Sequence, residues 1–240
     1  MSKTKIKNYE LDMASGSVLI KMLKFTLPLI CSSILQILFN VTDIIVIGRF
    51  AGASSLAAVG SNTALINLIT NLFIGLSIGT NVVVARYSGA KDSKNISKTV
   101  HTSIMLGILS GLILTIIGLF GARFFLRLML TPKDVLPKAT TYLRIYFLGM
   151  VPMMVYNFGS AVLRAIGDTK RPLYYLLIAG ILNVILNLLF VIVFNLDVSG
   201  VAFATIISQT VSALLILNCL CKEKSDIKLN LKNLKIENHK

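Results

Sequence analysis

Six long apolar stretches alternate with short polar segments along the chain. They lie roughly at residues 25–47, 62–86, 100–121, 141–162, 173–195 and 198–220. At a rise of about 1.5 Å per residue, each is long enough to cross the roughly 30 Å hydrocarbon core of a bilayer as an α-helix. The pattern predicts an all-α membrane protein, a polytopic bundle of six transmembrane helices.

The composition supports this fold class. Of the 240 residues, 55% are hydrophobic and 14% are charged, whereas about a quarter of the residues of a soluble domain are charged. We interpret residues 1–24 as a polar amino tail, 25–221 as a six-helix transmembrane lobe and 222–240 as a polar carboxyl tail. The amino tail lacks the features of a cleavable signal peptide.

Lysine and arginine are distributed unevenly between the two ends of the predicted helices. Of the 24 basic residues, 18 fall in the two tails and in the second and fourth loops, and six fall at the opposite end. The positive-inside rule therefore predicts a multi-pass protein of the plasma membrane with both termini cytoplasmic. The net charge of +14 is explained by the basic residues that set this topology. We therefore expect no nucleic-acid partner.

Asp43 is the only one of the ten acidic residues that lies at membrane depth in this interpretation. A carboxylate in the hydrocarbon core costs at least about 2–3 kcal/mol unless it faces a polar interior. We therefore expect Asp43 to be functional, and a protonated, structural Asp43 is the alternative.

Other polar residues lie near Asp43 in the predicted bundle. Gln36, Asn40 and Asp43 are spaced to share one face of the first helix, and Asn183 and Asn187 share a face of the fifth. With Thr205, early in the sixth, they fall in the outer half of the bilayer. A cluster of oxygen and nitrogen atoms with one negative charge suits a proton or Na⁺. The alternative for Asn183 and Thr205 is hydrogen bonding between helices.

Two further patterns concern helix geometry. Pro28 and Pro152 predict bends because proline removes a backbone hydrogen bond. The pairs Gly75-xxx-Gly79 and Gly107-xxx-Gly111 predict close helix packing.

The chain has two histidines and three cysteines, at spacings that suggest neither a disulfide nor a metal site. We also find no paired acids or nucleophile with a base, so we expect no enzymatic activity.

Four segments resemble a known family. They are FNVTDIIVIGRFAGASSLAAVG, GTNVVVARYSGAKD, VLRAIGDTKRPLYYLLIAGILNVILN and GVAFATIISQ. From Pro28 to Gln209 the chain resembles the amino-terminal lobe of a multidrug and toxic compound extrusion (MATE) transporter. The resemblance implies an antiporter that is driven by Na⁺ or H⁺, needs no cofactor and exports drugs or other amphipathic organic cations.

The resemblance also implies roles for particular residues. Asp43 matches the cation-site acid of the family's first helix, and Na⁺ would be held at Asp43, Asn183 and Thr205. Gln36 and, on the fourth helix, Tyr142 and Asn157 match polar residues of the family, and we expect all three and Asn40 to line the cavity. Pro28 matches the family's bending proline. Many relatives have Asp where this chain has Asn187, and a single acid fits one cation or proton per cycle.

The family has two homologous six-helix lobes, and this chain resembles one of them, with residues 222–240 resembling the start of the connector. The implied partners are the bilayer, small organic cations, and either a missing second lobe or a second copy of the chain. Two alternatives stay open: a lipid-linked saccharide flippase of the same superfamily, and a truncated lobe without transport activity. A flippase would need Lys or Arg in its cavity to bind a pyrophosphate, and no basic residue lies deep in a predicted span.

Overall fold

The computed structural model describes residues 18–223 and 225–230. It contains seven α-helices, and no strand occurs among these residues. The helices are α1 (Val18–Phe50), α2 (Ala53–Gly89), α3 (Ser93–Leu128), α4 (Leu136–Leu148), α5 (Met150–Ala165), α6 (Lys170–Leu188) and α7 (Asp197–Lys222). A π-helical turn, Leu189–Val193, extends α6. Residues 1–17, 224 and 231–240, which belong to the two predicted tails, lie outside the described residues.

The six predicted spans correspond to five straight segments and one bent pair. Five helices are long and apolar enough to cross a membrane, namely α1, α2, α3, α6 with its π turn, and α7. Helices α4 and α5, bent by 47° at the break between them, make a sixth span when the pair is taken as one crossing. The span predicted over 141–162 is thus bent near Pro152, as expected, and the prediction of an all-α bundle of six spans is confirmed.

The break between α4 and α5 has a local cause. Pro152 has no N–H to donate to the carbonyl oxygen of Leu148, four residues earlier, so the α-helical ladder cannot continue through this point. Next to the break, the Thr115 hydroxyl of α3 donates to the Phe147 carbonyl oxygen at 2.9 Å, so a neighbouring helix supplies a hydrogen bond to the backbone there. By contrast, α1 continues as helix through Pro28, and a bend there stays a prediction.

The helices extend beyond the apolar stretches at both ends. Helix α1 begins at Val18, inside the predicted amino tail, and only Ala51 and Gly52 separate it from α2. Helix α3 begins at its N-cap, Asp92, whose carboxylate accepts a hydrogen bond from the Asn95 N–H at 3.1 Å. Hydropathy marks the part of a helix that lies in hydrocarbon, whereas the backbone hydrogen bonds continue into the polar ends.

Helices α3 and α5 approach closely through one of the two glycine pairs. A Cβ atom on Gly111 would lie 2.5 Å from the Val151 Cα, and one on Gly107 would lie 3.3 Å from the Met154 carbonyl oxygen. Small residues permit this approach, which in lipid replaces the hydrophobic drive for helix association. No neighbouring side chain or backbone of the described residues lies within 4 Å of a Cβ added at Gly75 or Gly79, so that pair does not mark a helix contact here.

Side-chain contacts group the loops at two ends of the bundle. At one end, the Lys138 ammonium donates to the Ser55 hydroxyl at 2.8 Å and pairs with the Asp197 carboxylate at 2.7 Å. At the other end, the Ser93 hydroxyl donates to the Asp226 carboxylate at 2.8 Å, and the Asn230 N–H donates to His101 Nε2 at 3.0 Å. The second loop and the carboxyl tail therefore lie together, as the distribution of basic residues predicts.

Arg171 connects the loop before α6 to the end of α7. Its guanidinium donates to Asp168 and, at 2.8 Å, to Glu223. Both carboxylates are nearly inaccessible to solvent. These two contacts connect the loop before α6, the start of α6 and the end of α7, at the end of the bundle that carries most of the positive charge.

Replacing Arg171 with glutamine is expected to destabilise the bundle by about 3–5 kcal/mol, because two buried carboxylates lose their cationic partner. The measurement is the thermal midpoint of helix loss, followed by circular dichroism in detergent. Lys170→Gln is the matched control, since the Lys170 side chain is exposed. Equal midpoints for Arg171→Gln and Lys170→Gln would contradict the structural role of Arg171.

Candidate functional site

Four polar side chains from three helices form one hydrogen-bonded chain inside the bundle. The Asn187 amide of α6 donates to the Asp43 carboxylate of α1 and to the Asn183 side-chain oxygen at 3.1 Å. The Asn183 amide in turn reaches the Thr205 hydroxyl of α7 at 3.4 Å. Asp43, Asn183 and Asn187 are buried. The structure thus brings together the four residues predicted for cation or proton coupling.

The packing of α1 on α6 creates this arrangement. A Cβ atom on Gly180 would fall inside the ring of Phe39, so the absence of a side chain at Gly180 lets the ring lie against α6. Asp43 follows Phe39 by four residues, and Asn183 and Asn187 follow Gly180 by three and seven. These spacings put the polar groups on the contacting faces, roughly one to two helical turns beyond the Phe39–Gly180 contact.

The electrostatics of the cluster are those of an uncompensated acid. No salt bridge to Asp43 occurs among the described residues, so its carboxylate is satisfied by neutral groups alone. In addition, the side-chain oxygen of Asn187 is buried and lacks a hydrogen-bond partner among the described residues. A buried acceptor without a donor is unfavourable, and a small cation would satisfy it together with the carboxylate.

The donor set fits Na⁺ or a proton better than a transition metal. The groups available are carboxylate, amide and hydroxyl oxygens, which are ligands for hard cations. No group of three or more His, Cys, Asp or Glu side chains that could hold a metal ion occurs among the described residues.

The cluster opens into a cavity of about 190 Å³ between the helices. Asp43 is its only acidic lining residue, and no Lys or Arg of the described residues lines it. Tyrosine rings and aliphatic side chains form much of the remaining wall, including Tyr142, Tyr146, Tyr156 and Ile66. The described lining therefore combines apolar, aromatic and neutral polar side chains with one negative charge.

The other predicted site residues fall around this cavity, with one exception. Gln36, Asn40, Tyr142 and Asn157 all line it. Tyr142 belongs to α4 and Asn157 to α5, so the bend described above places both residues against the same space. Pro28, in contrast, lies in α1 away from the lining residues.

Sequence reasoning missed a polar stripe on α2. Thr63, Asn67, Thr70 and Asn71 line the cavity opposite the Asp43 cluster. Counted from Thr63, the other three follow after four, seven and eight residues, which is the spacing of one helical face. The stripe could have been found by looking for polar residues at helical spacing in the second span, as was done for the first. Ser208 and Gln209 of α7 also line the cavity.

Comparison with known proteins agrees with the fold. The family model described as MatE matches residues 28–189. The probable multidrug resistance protein YpnP of Bacillus subtilis is 34% identical over 215 residues, which are 89% of this chain and 48% of that protein. The multidrug export protein MepA of Staphylococcus saprophyticus is 25% identical over 88% of this chain and 47% of its own length.

Solved structures give the same result. A crystal structure of MATE in the bent conformation superposes with a TM-score of 0.83 and 27% identity, covering 90% of this chain and 48% of that one. The chain spans about half the length of the curated relatives it matches. Members of this family are transporters, and the match extends over most of this helical membrane bundle. The chain belongs to the MatE family of multidrug and toxic compound extrusion transporters.

Proposed function

We propose that this chain is one lobe of a cation-coupled antiporter that exports amphipathic organic cations. The observation that carries the proposal is the placement of Asp43: among the described residues it is the only charged one that lines the cavity, where it lies beside aromatic rings, aliphatic side chains and neutral polar groups. An organic cation has an apolar body that fits such walls and a charge that Asp43 attracts. The relatives' printed names, which describe multidrug resistance and export, support the same substrate class.

Coupling follows from competition for one carboxylate. A buried charge is costly unless it is neutralised, so either an inorganic cation or the organic substrate is favoured beside Asp43. Na⁺ would be held by Asp43, Asn183 and Thr205, with the unpartnered Asn187 oxygen close by; a proton would bind the carboxylate itself. Binding of one cation thereby disfavours the other, which is the requirement for exchange.

The test is ethidium uptake into everted membrane vesicles prepared from cells that produce the protein, because an exporter moves the dye into the lumen when the cytoplasmic face is outside. Ethidium is added to the medium, and either a Na⁺ gradient or a pH gradient is imposed. A rate that depends on one of the two gradients, and that vanishes when the gene is deleted, would support the proposal and identify the ion. Equal rates with and without both gradients would contradict coupled antiport.

Adding a second acid is expected to change the stoichiometry. In Asn187→Asp the new carboxylate would lie beside Asp43, and two adjacent carboxylates cannot both be charged without a cation between them. We expect uptake of a second cation per cycle, measured as the ratio of ²²Na⁺ or H⁺ flux to dye flux. Asn157→Asp, which places an acid elsewhere on the cavity wall, is the control; an unchanged ratio in Asn187→Asp would contradict the single-acid interpretation.

We further propose that both termini are cytoplasmic, that the protein lies in the plasma membrane and that transport needs a second six-helix lobe. The coverage of about half of each relative supports the last point. An immunoblot of native membranes with an antibody to residues 1–20 tests it. A denaturation-resistant band near twice the chain mass of 26.2 kDa supports a covalent second lobe, whereas a band at 26.2 kDa supports a lobe that exists alone, without transport or paired with a second copy.

The flippase alternative finds little support. A lipid-linked pyrophosphate carries several negative charges and calls for Arg or Lys in the cavity. The described lining residues include none and contribute a carboxylate instead.

A further inference from the structure

A second charged surface lies at the end of the bundle where α3 ends and α4 begins. Arg123, Arg127, Lys133 and Arg144 line a shallow basin of about 950 Å³, and we call these four residues the basic basin. They are four of the six basic residues at the end that the positive-inside rule assigns to the outside. Export of a cation gives no reason for them, since positive charge repels the cargo.

The basic basin lacks acidic partners. No Asp or Glu of the described residues lines it, and none of its four side chains takes part in a salt bridge there. Asp134, on the same loop, is not among the lining residues, and Asp197 pairs with Lys138 instead. Four like charges in one basin repel each other, so an anion is the ligand that this surface favours.

Arginine geometry points to a phosphate group. Arg123 and Arg127 are one turn apart on α3, and Arg144 of α4 is anchored by donation from its Nε to the Leu119 carbonyl oxygen at 3.2 Å. Guanidinium groups present parallel donors that match phosphate oxygens. Two guanidinium groups from one helix and one from its neighbour therefore line the same basin, where a phosphate could accept from more than one of them.

An apolar ledge adjoins the basic basin on α3. Phe120, Phe124 and Leu128 are spaced four residues apart, and they are 82%, 65% and 71% exposed. Leu130, which is 88% exposed, extends the ledge beyond the helix end. Most of the surface of these side chains is left uncovered by the described residues, and in a membrane such a surface lies against acyl chains.

The backbone holds Leu130 in this position. The hydrogen bonds from the Thr131 N–H to the Leu126 oxygen and from the Leu130 N–H to the Arg127 oxygen form a Schellman cap. Leu130 takes the left-handed conformation with a φ of 57°, which glycine normally supplies. The cap fixes the loop between Arg127 and Lys133, and so fixes one wall of the basic basin.

We propose that the basic basin binds the phosphate of an anionic phospholipid whose acyl chains lie along the apolar ledge. Phosphate recognition and acyl contact occur side by side, at the depth of the lipid headgroups. A zwitterionic lipid is disfavoured because its choline group is repelled by four positive charges. Phosphatidylglycerol is the simplest lipid with both required parts.

The experiment is a lipid titration of the purified full chain in non-ionic detergent. Because a ligand that binds the folded state raises its thermal midpoint, helix loss is followed by circular dichroism while dioleoylphosphatidylglycerol is added. We expect a rise with phosphatidylglycerol and none with dioleoylphosphatidylcholine. The triple variant Arg123→Gln, Arg127→Gln, Arg144→Gln is expected to need at least about tenfold more phosphatidylglycerol for half of the rise.

A control of equal charge separates a site from bulk attraction. Arg86→Gln, Lys91→Gln, Lys94→Gln removes three exposed positive charges near the opposite end of the bundle, and it is expected to respond like the unmodified chain. An equal response of the two triple variants would overturn the proposal. If the basin variant fails to fold, Lys133→Gln alone is compared with Lys91→Gln alone by native mass spectrometry, and equal retention of phosphatidylglycerol would overturn it.

Two further arms identify the source of the phosphate. Inorganic phosphate and glycerol 1-phosphate carry the charge without acyl chains, and we expect neither to match phosphatidylglycerol. Phe120→Gln is expected to weaken the response to phosphatidylglycerol by removing part of the ledge. A full response to glycerol 1-phosphate, together with no effect of Phe120→Gln, would mean a soluble phosphate ligand and would overturn the lipid assignment.

Discussion

Replacing Asp43 with asparagine is expected to abolish cation-driven export and leave the bundle folded. Asparagine has nearly the same size as aspartate and keeps an oxygen acceptor for the Asn187 amide, so the contact between α1 and α6 survives. The substitution removes the one charge that the described residues contribute to the cavity lining. An interaction with a charged group contributes about 1.5–3 kcal/mol, which corresponds to roughly 10- to 100-fold weaker cation binding.

The measurement is the initial rate of ethidium uptake into everted vesicles after a Na⁺ or pH jump, and we expect it to fall at least about tenfold. Thr42→Val is the matched control: Thr42 adjoins Asp43, but its hydroxyl donates only within α1, to the Leu38 oxygen at 2.8 Å. Near-normal export by Asp43→Asn, with its gradient dependence intact, would remove Asp43 from the mechanism.

Replacing Gly180 with valine is expected to separate α1 from α6 and to disassemble the polar cluster. The new side chain would overlap the Phe39 ring, and overpacking of this kind costs about 1–3 kcal/mol. For a domain of this size that corresponds to a thermal midpoint lower by roughly 2–12 °C. Because Asn183 and Asn187 belong to the displaced helix, ²²Na⁺ binding is expected to weaken as well.

Two variants test the cause of that effect. Phe39→Ala removes the ring, so the double variant Phe39→Ala, Gly180→Val is expected to recover part of the thermal midpoint. Gly79→Val introduces the same side chain at a helical glycine with no neighbouring side chain or backbone within 4 Å of its Cβ position, and it is expected to be neutral. The overlap account fails if Gly79→Val and Gly180→Val have the same midpoint.

The polar cluster around Asp43 was accessible from the sequence because each part of it carries a local signal. Asp43 is conspicuous as an acid in an apolar span, and helical spacing puts Asn183 and Asn187 on one face of theirs. Topology then sets the depth of each residue. Polar residues at equal depth on different helices of a small bundle tend to face one another, because the other directions lead to lipid. Thr205 could therefore be grouped with them.

The break in the fourth span was less accessible. Pro152 signals an interrupted ladder, but α-helices in membranes often pass through a proline, as α1 does at Pro28. Whether the helix ends or continues depends on what satisfies the freed backbone groups. Here the Thr115 hydroxyl of α3 donates to the Phe147 carbonyl oxygen beside the break, and no pattern within residues 136–165 contains that partner.

The basic basin illustrates the same limit for charged residues. Counting Lys and Arg assigns Arg123, Arg127 and Arg144 to one end of the bundle but treats all basic residues at that end alike. The fold divides them, since Lys138 pairs with Asp197 whereas the basin residues have no acidic partner among the described residues. That division depends on distances between helix ends, which charge counts do not contain.

The sequence by itself determined the fold class, the number of spans, the membrane depth of Asp43 and the family resemblance. These follow from hydropathy, helical period and charge distribution, which are properties of single segments. Only the tertiary structure decided that Gly180 admits the Phe39 ring and that the Asn187 oxygen is left without a donor. The physical reason is that close packing and hydrogen-bond satisfaction depend on side chains from different helices, and their mutual positions are set by the whole bundle.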